Sequence, residues 1–186
     1  MRMWPVIETP RLILRFPEIA DEPTCAAFLM SDRAKFVGGP APRGHAWRAF
    51  AHLVGQWDMR GYGVFTSTLR DGGALVGMCG LFHPSDMDEP EISWSIWNPD
   101  CEGMGLAYEA ALAVRDYAYN EMGWTTLTSN IDADNARSIA LAERMKCTID
   151  RSYTEDDGQG NDVLVHLYRH RSADDVARDG GMEAYA

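Results

Sequence analysis

One passage constrains the fold more than any other feature of this chain. A strand-like segment runs through a two-glycine turn directly into the strongest helix. Glu91-Ile92-Ser93-Trp94-Ser95-Ile96-Trp97 alternates along its length and stops at Asn98-Pro99. Leu106, Ala110, Ala113, Val114 and Tyr117 then recur at helical spacing, which predicts a helix from Leu106 to Met122 with one buried stripe, ended at Gly123. Between the two lie Gly103 and Gly105, which lack Cβ and tolerate positive φ. A turn of this kind at a helix N-terminus gathers backbone N–H groups where the helix dipole is positive, a setting for phosphate or pyrophosphate. The same two glycines also serve a plain strand-to-helix turn. There is no GK[ST], so this is not a P-loop, and no third glycine follows two residues on, so the dinucleotide fingerprint is absent.

The flanking pattern predicts an α/β (α+β) chain. Arg11 to Phe16 reads as a strand stopped by Pro17. Asp21 to Ser31 and Arg43 to Arg60 read as helices broken at Gly38-Gly39-Pro40, the second with Trp47, Phe50, Val54 and Trp57 on one face. Tyr62 to Leu69 and Ala74 to Phe82 form a hairpin around Asp71-Gly72-Gly73. Thr125 to Asn130 is a short strand, and Asp134 to Lys146 a helix with Asp134 as its cap. Cys147 to Tyr153 and Asp162 to Tyr168 close the pattern as a hairpin around Gly158-Gln159-Gly160. The order β-α-α-β-β-β-α-β-α-β-β implies a mixed, mostly antiparallel sheet of about seven strands flanked by helices, and not a doubly wound parallel sheet. Residues 1–170 are expected to form one domain, with 171–186 as a flexible or loosely docked tail.

Composition narrows the function classes. With 28 acidic and 17 basic residues among 186, the net charge is −11. A chain so acidic is a poor general ligand for nucleic acid, which needs clustered cations, and a better host for cationic partners such as amines. Four scattered cysteines, Cys25, Cys79, Cys101 and Cys147, contain no CxxC and suit a reducing compartment. The opening residues lack the apolar core of a signal peptide, and no run is long enough for a membrane span. The expectation is a cytoplasmic protein with no membrane or nucleic-acid partner; a homodimer is left open. His45, His52, His83, His166 and His170 form neither HExxH nor a Cys/His set, so no metal is expected, and no GxSxG is present.

Three segments carry a resemblance. Thr9-Pro10-Arg11-Leu12-Ile13-Leu14-Arg15 resembles the first strand, Glu91 through Trp94 with Glu102-Gly103-Met104-Gly105-Leu106-Ala107-Tyr108-Glu109-Ala110 resembles the acyl-CoA motif, and Asn135-Ala136-Arg137-Ser138 resembles the N-x-x-S element of the GNAT superfamily of acyl-CoA-dependent N-acetyltransferases, RimJ/RimL type. The resemblance spans Ile7 to about Tyr168 and agrees with the element order.

The resemblance implies transfer of an acetyl group from acetyl-CoA, the acyl donor co-substrate, to a primary amine of a protein N-terminus or a small molecule. It implies that Ile96 and Trp97 pair with the pantetheine arm through their backbone. Glu102, Gly103, Met104, Gly105, Leu106 and Ala107 would bind the pyrophosphate, and Asn135 and Ser138 would lie near the thioester. Glu91 falls where relatives place a glutamate near the acceptor amine, and Ser138 where the RimJ/RimL type places a proton donor to the leaving thiolate. The segment 21–60, with Phe36, Trp47 and Tyr62, would border the acceptor pocket. Three positions depart from the pattern: Glu102 replaces Arg or Gln, Ala142 replaces a tyrosine found in other branches, and Lys146-Cys147 replaces Gly-Phe. Plainer readings stand beside these. Glu91 also fits a solvated acidic cluster with Asp86, Asp88 and Glu89, and Ser138 also fits a helix residue bonded to its own backbone. The alternative functions are a non-catalytic acyl-CoA-binding protein and an interaction module unrelated to CoA.

Overall fold

The computed structural model describes residues 3–156 and 160–178. Its strands are β1 (Ile7–Glu8), β2 (Leu12–Arg15), β3 (Val64–Leu69), β4 (Leu75–Phe82), β5 (Glu91–Ile96), β6 (Thr128–Asp132), β7 (Thr148–Asp156) and β8 (Asp162–Arg169). Its helices are α1 (Glu22–Leu29), α2 (Arg43–Arg60), α3 (Leu106–Asn120), α4 (Ala136–Arg144) and α5 (Ala173–Arg178). The strands form one sheet in the order β1-β2-β3-β4-β5-β6-β8-β7. Every ladder is antiparallel except β5–β6.

The sheet has eight strands where about seven were expected. The extra one, β1, is two residues long and pairs with β2 through Ile7↔Leu14 and Glu8↔Ile13, too short to leave an alternating signature. Within 171–186, expected to be a flexible or loosely docked tail, the described part forms α5 and buries Val176 in the core containing α3. Residues 179–186, and Gly158 and Gln159 of the last hairpin's turn, lie outside the described residues.

Two cores flank the sheet. On one side Cys25, Phe28, Phe50 and Leu53 of α1 and α2 pack with Val64 and Trp97. On the other, Leu106, Ala110, Ala111, Val114 and Ala118 of α3 pack with Phe65, Leu81 and Ile92 of the sheet and with Ala142 and Met145 at α4. The expected α3 stripe is buried at Leu106, Ala110, Ala113 and Val114, but burial extends to Ala111, Leu112 and Ala118. Its alanines let neighbours close in on several sides. In α2 the buried stripe is Ala46, Phe50, Leu53 and Trp57. Trp47 is 53% exposed, so the face is turned about one position from the aromatic one expected. A small residue, Ala46, marks the close approach, and the Trp57 indole N–H is fixed on the Val64 carbonyl at 2.9 Å. All four cysteines are buried, and none is in a disulfide. No helix among the described residues is long and apolar enough to cross a membrane.

Candidate active site

The site begins where β5 and β6 part. They register as a single parallel pair, Glu91↔Thr128, reinforced by the Ser129 hydroxyl donating to the Ile92 carbonyl at 2.7 Å. Beyond it β5 stays with β4 as far as Gly77↔Ile96, whereas β6 follows β8. A wedge opens between them. The Trp97 N–H bonds Val76 on the β4 side, so by strand alternation the Ile96 carbonyl faces the wedge.

That carbonyl has a partner. Arg33, in the short turn after α1, donates Nη2 to the Ile96 oxygen at 2.9 Å and Nη1 to the Trp97 oxygen at 2.8 Å. The same guanidinium holds Glu102 Oε1 through Nε and Nη2 at 2.8 and 2.5 Å, and Arg137 of α4 reaches Oε2 at 2.7 Å. These two arginines, Arg137 first, hold the Glu102 carboxyl below its ordinary range. Glu102 therefore stands at the mouth of the wedge as an ion pair with two cations. The Trp97 side chain belongs to the core, its indole N–H on the Ser95 hydroxyl at 2.9 Å.

The turn after β5 is built to leave amides free. Asn98 Oδ1 caps the Asp100 N–H, and the chain then reaches Gly103 and Gly105 with φ of 72° and 75°. Left-handed φ at both suits glycine. Gly105 is the N-cap of α3 and supplies no side-chain oxygen. The first intrahelical bond runs from Glu109 N–H to the Gly105 carbonyl at 3.1 Å. The N–H groups of Leu106, Ala107 and Tyr108 precede it and have no capping side chain among the described residues. Met104 is half exposed, and its carbonyl accepts from Arg11 Nη1 at 2.8 Å.

Glu109, to which the local sequence pattern gives no role, fastens this turn to the residues ahead of β2. It is 1% exposed and accepts from Thr9 Oγ1 at 2.5 Å, the Arg11 N–H at 2.8 Å and Arg11 Nε at 2.5 Å. Burial pushes its carboxyl up, but these bonds outweigh it and hold the group ionised. Glu109 thereby ties Thr9 and Arg11, just ahead of β2, to the helix that follows the glycine turn. No periodicity signals a partner so far along the chain.

Glu91 and Ser138 come together on a narrow pocket of about 50 Å³, with Trp94, Asn130, Asn135, Phe36 and Val37. Ser138 Oγ accepts from the Trp94 indole N–H at 3.2 Å, and no acceptor for its own O–H occurs among the described residues. The cap of α4 is Asn135 and not Asp134: its Oδ1 accepts from the Ser138 N–H at 3.2 Å, while the Asp134 N–H donates to Asp132. Asn135 is thus the residue that sets Ser138 at the third position of the helix.

Glu91 does not belong to a solvated acidic cluster. Its Oε2 accepts from the Asn130 N–H and Nδ2, both at 2.9 Å. Burial drives its carboxyl up to about 7, with a smaller push from Glu155 and opposition from the Asn130 bonds. Glu89 is the ion-paired neighbour, held by Arg169 at 2.6 and 3.0 Å. Of the aromatics expected at the acceptor side, Phe36 lines the pocket. Trp47 is on the surface, and Tyr62 is engaged elsewhere, its hydroxyl on His83 Nδ1 at 2.7 Å. Ala142 is fully buried against α3 and offers no hydroxyl. Among the described residues no cluster of His, Cys, Asp and Glu has the makings of a metal site.

Residues 11–148 match the acetyltransferase (GNAT) domain. The chain belongs to the GNAT acetyltransferase family. A crystal structure of the acetyltransferase from Agrobacterium tumefaciens shares 32% identity with this GNAT chain, covers 92% of it and 96% of its own length, and superposes with a TM-score of 0.81. A GNAT-family acetyltransferase from Bacillus anthracis shares 21% identity over 91% of this chain and 99% of its own, with a TM-score of 0.76. RimL, a ribosomal L7/L12 alpha-N-protein acetyltransferase determined in complex with coenzyme A, shares 13% identity over 90% and 98%, with a TM-score of 0.71. At these lower identities the likeness is one of fold. The expected GNAT architecture, a mixed and mostly antiparallel sheet flanked by helices, is therefore shown, and family membership makes the chain an acyltransferase.

Proposed function

We propose that this GNAT protein is an acetyl-CoA-dependent N-acetyltransferase that transfers an acetyl group to a primary amine by direct attack. The observation that carries the reading is the wedge between β5 and β6. It has unpaired helix amides at its mouth, and Glu91 and Ser138 line one pocket near its apex.

The residues present fit the donor. The amides of Leu106, Ala107 and Tyr108 with the left-handed turn at Gly103 and Gly105 suit a diphosphate. Glu102, the departure that set a carboxylate beside that anion, is covered by Arg33 and Arg137 and leaves a net positive group. The Ile96 carbonyl, now on Arg33, is available to an amide of the pantetheine arm by exchange of one donor for another. The donor supplies an activated thioester; this chain's residues supply the proton transfers. Glu91, titrating near 7, is matched to accept the proton of an alkylammonium through its open Oε1. As the amine nitrogen bonds to the acyl carbon and the carbon–sulfur bond breaks, the Ser138 O–H protonates the departing thiolate, and the serine oxygen recovers a proton from the one the new amide nitrogen sheds, so that thiol, amide and serine hydroxyl all end neutral. Trp94 steadies the serine oxygen from the other side.

The test is thiol release from acetyl-CoA against a panel of N-terminal peptides, polyamines and aminoglycosides, with mass detection of the product, beside thermal shift with acetyl-CoA. An acetylated amine supports the reading and names the acceptor as protein or small molecule. A thermal shift without turnover on a panel spanning these classes supports the acyl-CoA-binding alternative, and no shift with any CoA ester overturns both. The acidic charge favours a cationic acceptor in a cytoplasmic setting, and the RimJ/RimL motifs favour an N-terminal amine.

A further inference from the structure

We propose that Asn130 and Tyr153 are positioning residues, which together fix the Glu91 carboxylate with one oxygen anchored and the other presented to the pocket. The proposal deepens the reading above and rests on Glu91 as the proton acceptor.

Asn130 sits on β6 at the point where β5 departs, pairing with Leu167 of β8. Its N–H faces the departing strand and would be orphaned by the wedge. Glu91 Oε2 satisfies it at 2.9 Å, and the Asn130 Nδ2 donates to the same oxygen at 2.9 Å. Two donors on one oxygen leave Oε1 without a partner among the described residues, on the pocket that holds Ser138.

This arrangement depends on which way the Asn130 amide points. A flip would set its oxygen against the carboxylate. The Tyr153 hydroxyl on β7 prevents this by donating to Asn130 Oδ1 at 3.1 Å. The phenol can act only as a proton carrier here, and burial, then Glu155 and Glu91, raise it above its ordinary value, so it stays protonated. Tyr153, Asn130 and Glu91 thus form a one-way chain of donors.

Other groups facing the carboxylate work against ionisation. Glu155 approaches from β7, and Asp132 of β6 lines the same pocket. Ser138 of α4 is neutral, and Phe36 and Val37 add apolar lining to the pocket. Arg151 lies over the Tyr153 ring, 6.0 Å from its centroid. The Asn130 donors are what keeps the Glu91 titration within reach of neutral pH against these.

The test is a direct titration of the Glu91 side-chain carboxyl by carbon-13 NMR in the full chain, which requires no acceptor amine. Asn130→Ala keeps the backbone donor and removes Nδ2. The Glu91 midpoint is expected to rise by about one pH unit, the size of one hydrogen bond to an ionised carboxylate. Tyr153→Phe, which preserves the ring, is expected to move it in the same direction by less. A Glu91 midpoint unchanged in both folded variants overturns the proposal, and Tyr153→Phe alone decides it if Asn130→Ala does not fold. Glu91→Gln separates the two claims. Full turnover in that variant would refute Glu91 as the acceptor, whereas the NMR titration judges its anchoring by Asn130 independently.

Discussion

The Glu102 carboxylate holds the Arg33 guanidinium across the mouth of the β5–β6 wedge, Oε1 accepting from Nε at 2.8 Å while Nη2 of the same group reaches the Ile96 carbonyl at 2.9 Å. Opening that carbonyl to a ligand means loosening Arg33, and Glu102 is what ties it down. Glu102→Gln removes both the tie and a negative charge beside the turn amides. Acetyl-CoA binding should tighten by about three- to tenfold at low ionic strength, with the gain shrinking as salt screens it. Arg137→Ala, which removes a cation and leaves the carboxylate, should weaken binding by a similar factor with the same salt dependence. Isothermal titration at two salt concentrations checks both signs.

In the proposed mechanism Ser138 acts on the leaving group, so its loss should appear in turnover and not in donor binding. Ser138→Ala is expected to lower kcat by about 10²-fold with the acetyl-CoA dissociation constant nearly unchanged. Trp94→Phe, which removes only the indole N–H on Ser138 Oγ, should have a milder effect. An equal loss in binding and kcat would make the serine a structural member of the α4 cap. Thiol-release kinetics on the acceptor found by the panel, with binding measured separately, distinguish these.

Glu91 should mark the pH dependence of stability as well as of rate. Its carboxyl titrates near 7 in the folded chain against 4.5 ordinarily, so the folded state holds the proton more tightly. The stability it contributes is complete below about pH 4.5 and is lost as pH rises through about 7. Glu91→Gln keeps an oxygen for Asn130 and does not titrate. Its melting temperature should exceed that of the wild type at pH 8 by several degrees, roughly 2–4 °C per kcal/mol for a chain of this size, and converge with it near pH 4. Thermal melts across this range decide it.

Glu109 should be a stability residue with a functional consequence. Glu109→Ala leaves the Thr9 hydroxyl and the Arg11 donors without their acceptor beside a buried helix turn. A loss of about 3 kcal/mol is expected, or roughly 6–12 °C in melting temperature. Because Arg11 also holds the Met104 carbonyl, acetyl-CoA affinity should fall in the variant even well below its melting point. Calorimetry and binding at low temperature separate the two effects.

Much of the fold was legible because it is written in local pattern. The limits of α2 at Arg43 and Arg60 coincide with the expected ones, and β4 and β5 lie within a residue of theirs. The errors share a cause. The spacing predicts a buried α2 face of Trp47, Phe50, Val54 and Trp57, but contact with the sheet selects Ala46 and Leu53 over Trp47 and Val54, because close packing rewards the small residue as readily as the large one. The sequence offers Asp134 as the α4 cap, one residue before the Asn135 that caps it, since Asp and Asn cap equally well and only the turn geometry chooses.

The sequence by itself determined the order of elements, the glycine turn before α3 and the identity of the residues on it, because hydrophobic period and positive-φ tolerance act between near neighbours. Tertiary structure alone decided what those residues do to one another. Arg33 meets Trp97 across 64 positions, Arg11 meets Glu109 across 98 and Asn130 meets Glu91 across 39. Charge pairing and burial at such separations depend on the path of the whole chain. Charge pairing turns Glu102 into a doubly paired ion, and burial, opposed by the Asn130 bonds, lifts Glu91 toward neutral pH.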